Sequence, residues 1–203
     1  MLALTLVLAG GYFAQAADPR AQVGDVKLVQ NSVQAVFQKN SRPLLTAAPV
    51  LFEDMLKTGT DARLKAQLVD GTELTLGEKA EMFIDEFVYE PDGTEAVLSL
   101  KVVRGAFMFV SGKIEKMSGS RVNIETPAGI LGVRGTTVWV GDIDGGYGIL
   151  VLDGSVAVTT PNGAVVVNTG QGTMVYDNER PSLPSEWAEA KIDRAMATIS
   201  FND

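Results

Sequence analysis

The stretch GILGVRGTTVWVG, residues 129–141, places Arg134 in the middle of an apolar run. The same tripeptide, Val-Arg-Gly, opens a second apolar run at residues 103–110 and carries Arg104. A guanidinium in such a run either binds an anionic ligand or holds a turn together with its five N–H donors. Because a ligand site rarely needs two copies, the recurrence favours the structural role. We therefore interpret both arginines as turn residues that bond to backbone carbonyl groups.

Glycines mark further turns of this kind between predicted strands. A unit made of a polar residue, a glycine and an alternating strand recurs at residues 69–76, 103–110, 133–140 and 152–159. The glycine permits backbone conformations that other residues avoid. The spacing of the units is too irregular for a strict solenoid repeat. The predicted structural residues of these corners are Gly71, Arg104, Gly105, Gly132, Arg134, Gly135 and Gly154.

Alternating apolar and polar residues predict short β-strands along most of the chain. Residues 62–77 are the clearest case, because the alternation continues on both sides of Asp70-Gly71, a dipeptide typical of tight hairpins. Frequent turn signals leave no room for helical crossovers between strands. We predict an all-β fold, described as a rolled or solenoid-like stack of short strands and hairpins. A two-sheet β-sandwich is the alternative.

The last segment of the chain breaks the β pattern. Pro181 and Pro184 end it, and the apolar spacing over residues 185–200 predicts one amphipathic α-helix with Ser185 as its N-cap. The apolar face of this helix is narrow and rich in alanine, which suits packing on the β body. Alternatively, the helix binds a partner, with Trp187 as the anchor residue.

A second tryptophan has two interpretations as well. Val138 and Val140 share one face of their strand, and Trp139 lies on the other. If the valines face the core, Trp139 either is exposed and marks a contact surface or covers the second face of a buried strand. Trp139 and Trp187 are therefore the candidate interaction surface.

The composition excludes several kinds of chemistry. The 203 residues contain no cysteine and no histidine, which rules out disulfides, thiolate zinc sites and Ser-His-Asp or Cys-His catalysis. The formal net charge of −8 at pH 7 does not fit the basic patch that nucleic acid requires. We predict no catalytic residue, no metal site, no cofactor and no nucleic-acid partner.

Two acidic stretches are the remaining candidates for a metal site or a catalytic site. Residues 142–148, DIDGGYG, begin like a calcium loop, but Tyr147 stands where that loop needs glycine. A glycine-rich hairpin turn explains them more simply. Residues 83–95 concentrate carboxylates of the kind used in glycoside hydrolysis, yet acids beside a Pro-Asp-Gly turn usually form a solvated loop.

The first residues predict export from the cytoplasm. Residues 1–16 are uncharged and end in Ala14-Gln15-Ala16, which matches the apolar core and cleavage site of a secretory signal. We predict cleavage after Ala16 and a mature protein in the periplasm or outside the cell. The mature chain contains no further apolar run of the roughly twenty residues that a membrane span requires.

A series of segments between residues 50 and 175 matches a more specific pattern. The segments are Asp54 with Thr58-Gly59, Asp70 to Leu76, Arg104-Gly105, Thr126-Pro127 followed by GVRGT at 132–136, and Leu152 to Val158. Together they resemble the FecR domain family, and the GVRGT signature with its flanks is more specific than any single motif. We expect a stand-alone, exported FecR-domain protein.

The resemblance implies an all-β periplasmic module without enzymatic activity, related to the regulator that relays ferric-citrate transport status to a sigma factor. The expected organisation is a signal peptide at 1–16, an N-terminal β extension at 17–49 and a FecR-like β domain at 50–176. A proline-containing linker and the amphipathic helix follow at 177–203.

The expected function is a protein-interaction or sensory scaffold module in the bacterial envelope, with an envelope protein as its partner. An envelope glycan or peptidoglycan binder is the alternative, and a carboxylate-based enzyme acting on polysaccharides is the third hypothesis. Exposed aromatic residues along a groove would favour the glycan binder. A flat apolar patch near Trp139 or the C-terminal helix would favour a protein partner.

Overall fold

The computed structural model describes residues 18–91, 95–177 and 179–202. The predicted signal peptide, residues 1–16, lies outside these ranges. Within them the chain forms sixteen β-strands, one short 3₁₀ helix and one α-helix. The strands are β1 (Gln22–Gln30), β2 (Val33–Phe37), β3 (Asn40–Pro43), β4 (Pro49–Leu51), β5 (Met55–Thr58), β6 (Arg63–Leu68), β7 (Glu73–Leu76), β8 (Glu81–Tyr89), β9 (Ala96–Arg104), β10 (Phe107–Val110), β11 (Arg121–Thr126), β12 (Gly129–Ile143), β13 (Gly146–Thr160), β14 (Gly163–Asn168), β15 (Gln171–Val175) and β16 (Ser185–Glu186). The 3₁₀ helix is Ile114–Lys116 and the α-helix, α1, is Glu189–Ala197.

All of these strands belong to one sheet, and β12 is the strand where the sheet divides. The first residues of β12 pair with β11, whereas its residues 137–140 pair with β10. From this division, arm 1 runs through β11, β9, β8, β5, β2 and β3. Arm 2 runs through β10, β7, β6, β1 and β4. On its other side β12 pairs along its length with β13, which in turn pairs with β14 and β15.

The two arms face a common hydrophobic core. Leu64 and Ala66 of β6 alternate with partly exposed polar residues, and Leu98 and Leu100 of β9 do the same in arm 1. These side chains belong to one continuous cluster that takes residues from both arms. Burying one face of each strand is the main source of stability in such a sheet. The sheet therefore curls around its own core and remains open at its edges.

The predicted all-β fold with a single C-terminal α-helix is confirmed. The pairing differs from that of a solenoid, because β9 and β11 form the only parallel pair among the described strands. The two arms also differ from a sandwich of separate sheets, since β12 and β13 run through both of them. One curled, open sheet combines features of the two alternatives that the sequence left open.

Residues 133–137 of β12 and 153–155 of β13 form the place where these strands pass from one arm to the other, here called the strand corner. The register between the two strands shifts here, between Arg134 and Thr137. Gly135 and Gly154 have φ angles of 58° and 80°, in the region that favours glycine. A Cβ on Gly154 would collide with the carbonyl oxygen of Gly135, so the two backbones approach more closely than side chains allow.

The C-terminal helix packs on the outer face of the sheet, as its apolar spacing indicates. Ala195 and Ile199 form a second buried cluster with Trp139 of β12 and Leu150 of β13. The prediction of Ser185 as the N-cap is wrong, because Ser185 and Glu186 form β16 against β15. Their backbone groups extend the sheet instead of starting a helix. The helix begins at Glu189, and its N-cap residue makes no side-chain capping hydrogen bond.

Replacing Gly154 by alanine should destabilise the domain more than the same change at Gly170. Both glycines have a φ of 80°, where an alanine costs about 1–2 kcal/mol. The added Cβ at Gly170 would meet open space, whereas that at Gly154 would meet the carbonyl oxygen of Gly135. Urea denaturation followed by tryptophan fluorescence measures both free energies of unfolding. Equal losses in the two variants would contradict the close approach at the strand corner.

Candidate functional site

The strand corner is held by hydroxyl groups. Thr136 is almost fully buried, and its hydroxyl accepts the N–H of Arg134 at 3.0 Å and donates to the carbonyl of Ser155 at 2.9 Å. The backbone N–H of Thr136 donates to the hydroxyl of Ser111 at 2.8 Å. These bonds satisfy the backbone groups that the shift in register leaves without ladder partners. A short polar side chain, not the arginine, closes the corner.

The guanidinium of Arg134 does not make the turn bonds that we expected. Arg134 is exposed, and its side chain makes no hydrogen bond or ion pair with any residue in the described part of the chain. The expectation failed because Thr136 and Ser111 already satisfy the backbone groups of this corner. The cation of the GVRGT signature is therefore available to solvent and to other molecules.

The second Val-Arg-Gly unit has a different environment. Arg104 is also largely exposed, but its guanidinium pairs with Glu81 at 2.7 Å. Lys57 approaches the same carboxylate at 3.2 Å. Partial burial acts to raise the pKa of Glu81, but the hydrogen bonds from Arg104 and Lys57 outweigh it and lower the pKa. Arg104 thus connects β9 to β8, and the two copies of the tripeptide serve different purposes.

The predicted corner glycines also divide into two groups. Gly71, Gly105, Gly135 and Gly154 have positive φ angles, which the turns at these positions require. Gly132 lies inside β12, where its φ is not in that region. Its place in the signature therefore has no conformational explanation in the structure.

The 3₁₀ helix lies against the strand corner and brings a carboxylate to it. Glu115 accepts the backbone N–H of Gly135 through Oε2 in a short hydrogen bond. Its other carboxylate oxygen, Oε1, is buried and has no hydrogen-bond partner among the described residues. A buried acceptor without a donor carries a free-energy cost, and such a group calls for an explanation. The neighbouring Lys116 is exposed.

Two surface grooves meet at this point. One has a volume of about 500 Å³ and the other about 390 Å³, and both are lined by Glu115, Lys116 and Arg134. The smaller groove is also lined by the exposed carboxylate of Asp153, and the other described residues of both grooves are small, polar or aliphatic, with none aromatic. The arrangement offers the cations of Lys116 and Arg134 to an acidic group, beside the carboxylates of Glu115 and Asp153.

Asp70 positions the 3₁₀ helix that carries Glu115. Its side chain is fully buried and accepts the backbone N–H and the hydroxyl of Thr72 at 3.0 and 2.7 Å. It also accepts the N–H of Ile114 at 3.3 Å. The Asp-Gly dipeptide predicted the hairpin between β6 and β7. Its second role, as a support for the corner, depends on a residue 44 positions away and has no signal in the local sequence.

Asp54 is the carboxylate whose role the sequence analysis missed. It is fully buried, pairs with Arg20 at 3.0 Å, and forms a short contact with Arg42. It also accepts the N–H of Leu51 at 2.8 Å. Arg20 lies in addition over the ring of Phe37, with 3.9 Å to its centre. Asp54 therefore ties the N-terminal segment to the rest of the sheet, a structural role that its place in the family pattern could have indicated.

The two tryptophans lie together beneath and beside the C-terminal helix. Trp139 is 0% exposed, and its indole N–H donates to the hydroxyl of Thr198 at 3.0 Å. Its ring meets that of Trp187 edge-on, with centres 6.2 Å apart. Trp187 is partly exposed, and the ammonium group of Lys191 lies 4.1 Å from its ring centre. Trp139 covers the second face of its strand and is not at the surface, which leaves only Trp187 of the candidate interaction surface accessible.

The loop that resembles a calcium site instead anchors the helix. Asp144 pairs with Lys191 at 3.1 Å and with Arg194 at 2.7 Å. The hydrogen bond from Lys191, together with that from Arg194, holds the pKa of Asp144 below its ordinary value of 3.8. Both cations lie on α1, so this carboxylate fixes the helix to the hairpin between β12 and β13.

Comparison with known proteins gives the family of this curled all-β domain. The model of the FecR protein family matches residues 54–157, just over half of the chain. The chain therefore belongs to the FecR family. No curated protein matches it.

Two crystal structures of a proposed anti-sigma factor from Parabacteroides distasonis are similar to the chain. Each is 15% identical, the TM-scores are 0.54 and 0.53, and both matches cover 70% of this chain. They cover 63% and 64% of the solved structures, so the chain spans slightly less than two thirds of their length. At this identity the likeness shows a shared fold.

Replacing Asp54 by asparagine should reduce the free energy of unfolding by about 3–5 kcal/mol, because Arg20 and Arg42 would lose their common buried anion. Asp18→Asn is the matched control, since Asp18 pairs with Arg20 in solvent and should cost far less. Denaturant titration of the two variants gives the comparison. A similar small loss in both would show that the buried carboxylate does not tie the N-terminal segment to the sheet.

The contribution of Asp144 should depend on pH. Its pKa is lowered in the folded state, so its stabilising effect is present above pH 3.8 and is lost as the pH falls through the lower, folded-state value. Asp144→Asn should therefore be less stable than the wild type at pH 7, and the difference should shrink as the pH falls below 3.8. Urea midpoints from pH 7 to pH 2 test this, with the exposed helix residue Asp193, as Asp193→Asn, for the control. A gap that persists unchanged at low pH would exclude the ion pairs as its cause.

Proposed function

We propose that this chain is a non-enzymatic regulatory module of the bacterial envelope that binds a protein partner at the strand corner. Membership in the FecR family supports a regulatory role. The description of the two similar structures as an anti-sigma factor agrees with it. The exposed and unpaired guanidinium of Arg134 is the observation that carries the proposal, because it marks where a partner would bind.

No contact within the described part of the chain explains the guanidinium of Arg134. Arg104, in the same tripeptide, is held by Glu81, whereas Arg134 has no partner among the described side chains. Lys116 stands beside it on the rim of both grooves. Glu115 lines both grooves and Asp153 the smaller one, so Lys116 and Arg134 are the two groups there that would pair with an acidic side chain.

The shape of the surface defines the second requirement. Oε1 of Glu115 is buried, so a partner does not reach it and meets the two grooves instead. The two grooves share Glu115, Lys116 and Arg134, so one extended segment that crosses these residues contacts both grooves. The partner is therefore an extended segment of an envelope protein that carries an acidic side chain.

The alternatives receive less support from the site. Sugar rings are typically recognised by aromatic side chains, and the described lining of both grooves has none. The described carboxylates of residues 83–95 are exposed and line neither groove, which favours a solvated surface over acid–base work on a polysaccharide; they are Asp85, Glu86, Glu90 and Glu95. A protein partner therefore fits better than a glycan or a carbohydrate substrate.

The location and organisation form part of the proposal. We place the mature protein in the periplasm, with residues 1–16 as a cleaved signal peptide. The N-terminal extension at 17–49, the FecR-like domain at 50–176 and the C-terminal segment at 177–203 then form the exported protein. The family match over residues 54–157 falls inside the central part of this division.

Site-specific crosslinking in the envelope tests the proposal. A photoreactive amino acid at Met117, which lines the larger groove, is expected to capture one recurrent envelope protein. The double charge reversal Lys116→Glu with Arg134→Glu should abolish this capture. Capture that survives the reversal, or that yields only glycan, would contradict binding of a protein at the strand corner.

Two controls separate binding from folding. Lys27→Glu with Lys39→Glu changes the net charge equally at exposed lysines elsewhere, and it should leave capture intact. Arg134→Ala should change the free energy of unfolding by less than about 0.5 kcal/mol, because its side chain is exposed and makes no bond within the described chain. A large loss of stability would instead assign Arg134 to the fold.

A further inference from the structure

The larger of the two grooves lies where β11 and β12 separate. The ladder between these strands ends at the pair of Asn123 and Gly132. The next residue of each strand, Val122 of β11 and Val133 of β12, lines the groove. Residues 115–120, which lead from the 3₁₀ helix to the start of β11, form another of its walls. The larger groove is therefore an opening between two strands of the sheet, here called the β11–β12 gap.

One arginine stands on each side of this gap. Arg121 precedes Val122 and Arg134 follows Val133, so the register of the ladder, continued by two residues, places the arginines at facing positions. Both arginines are exposed and both valines are buried, which puts the two arginine side chains on the outer face. At these positions β11 stays paired with β9 and β12 with β13. The backbones that carry the two cations are therefore held by the sheet.

These two residues differ from the other arginines of the described strands. Three strand arginines bond to a carboxylate or to a carbonyl group: Arg42, Arg63 and Arg104. The side chains of Arg121 and Arg134 bond to no residue that the structure describes. The two strand arginines without a bond are thus the two that flank the gap.

Elsewhere the sheet places opposite charges at facing positions. Lys57 and Arg104 both lie opposite Glu81, and Lys101 lies opposite Glu125. Each of these facing pairs forms an ion pair. Like charges at facing positions are destabilising, and an anion bound between them offsets their repulsion. Within the described ranges the chain supplies no such anion to the two arginines of the gap.

The remaining charges around the gap favour more than one acidic group. Lys116 lines it and adds a third cation, whose ammonium group has no bond to a described residue. Glu115 is the carboxylate of this lining, and it already accepts the backbone N–H of Gly135. Asp153 lines only the smaller groove. Three cations and one committed carboxylate therefore leave an excess of positive charge at the gap.

We propose that Arg121 is a specificity-determining residue of the strand corner, and that the partner's segment carries two acidic side chains separated by one residue. In an extended segment such side chains lie on one face, about 6.6 Å apart. Facing positions within a ladder are about 4.5–5.5 Å apart, and the gap begins where the ladder has ended. One acidic group therefore pairs with Arg121 and the other with Arg134. This inference rests on the proposed function and specifies its partner.

The crosslinking experiment at position 117 tests the role of Arg121 in the full chain. Arg121→Gln is expected to lower the yield of the captured protein by about tenfold or more, because one charge-assisted contact is lost. Its urea midpoint should stay that of the wild type, since the side chain is exposed and makes no bond in the described chain. Lys39→Gln is the matched control at another exposed, unbonded cation, and it should leave the yield unchanged.

The outcomes separate this inference from the proposed function. Unchanged capture by Arg121→Gln, or a lowered urea midpoint, would overturn the role of Arg121 while a protein partner at the strand corner remained. A wild type that captures no recurrent protein would overturn both.

Mass spectrometry of the crosslinked peptide tests the spacing of the acidic groups. The captured segment is expected to contain two Asp or Glu residues separated by one residue. Replacing either of them in the partner by Asn or Gln should lower capture by about tenfold or more. A captured segment with a single acidic residue, or with two acidic residues at adjacent positions, would contradict the proposed spacing.

Discussion

The fold depends on the close passage of two backbones at the strand corner. Because Gly154 lies where any side chain would meet the carbonyl of Gly135, β12 and β13 can change register together and serve both arms of the sheet. The hydroxyls of Thr136 and Ser111 satisfy the backbone groups that this change frees. Without the corner, the two arms would share no strand and would not enclose one core.

This arrangement separates the residues of the family signature that serve the fold from the one that faces solvent. Gly135 and Thr136 of GVRGT serve the backbone, whereas the guanidinium of Arg134, just before them, is exposed to solvent. A residue exposed at a rigid corner can be varied or recognised without disturbing the core. The corner therefore holds the backbone of Arg134 at a fixed position, which would lower the entropic cost of binding the proposed partner.

The sequence supported the all-β fold well, because alternation and Asp-Gly turns are local signals. Residues 62–77 illustrate this, since both strands and the turn follow from spacing alone. The pairing of β9 with β11 had no such signal. The two strands are not consecutive, because β10 lies between them in the chain and belongs to arm 2. The start of α1 was misplaced for a similar reason. Ser185 has a capping side chain, but the nearby edge of β15 takes its backbone into the sheet.

The site was harder to predict because its members come from distant parts of the chain. Identical tripeptides gave Arg104 a partner and left Arg134 without one, and the difference lies in Glu81, which only the paired strands bring near. Asp54 likewise meets its two arginines across 12 and 34 positions. Local motifs indicated which residues matter in these cases, while the tertiary fold determined what each one contacts.

The path of the chain between the two arms has a consequence for the order of folding. Arm 1 takes β2, β3, β5, β8, β9 and β11, while arm 2 takes β1, β4, β6, β7 and β10, so neither arm is built from one contiguous segment. Contacts of this kind are distant in sequence, and closing them is slow. During synthesis the N-terminal residues emerge first. Both arms therefore remain incomplete until residues 129–160, which include β12 and β13, have emerged. The strand corner thus becomes available only after every strand of both arms, and the two arms can enclose one core only once it is present.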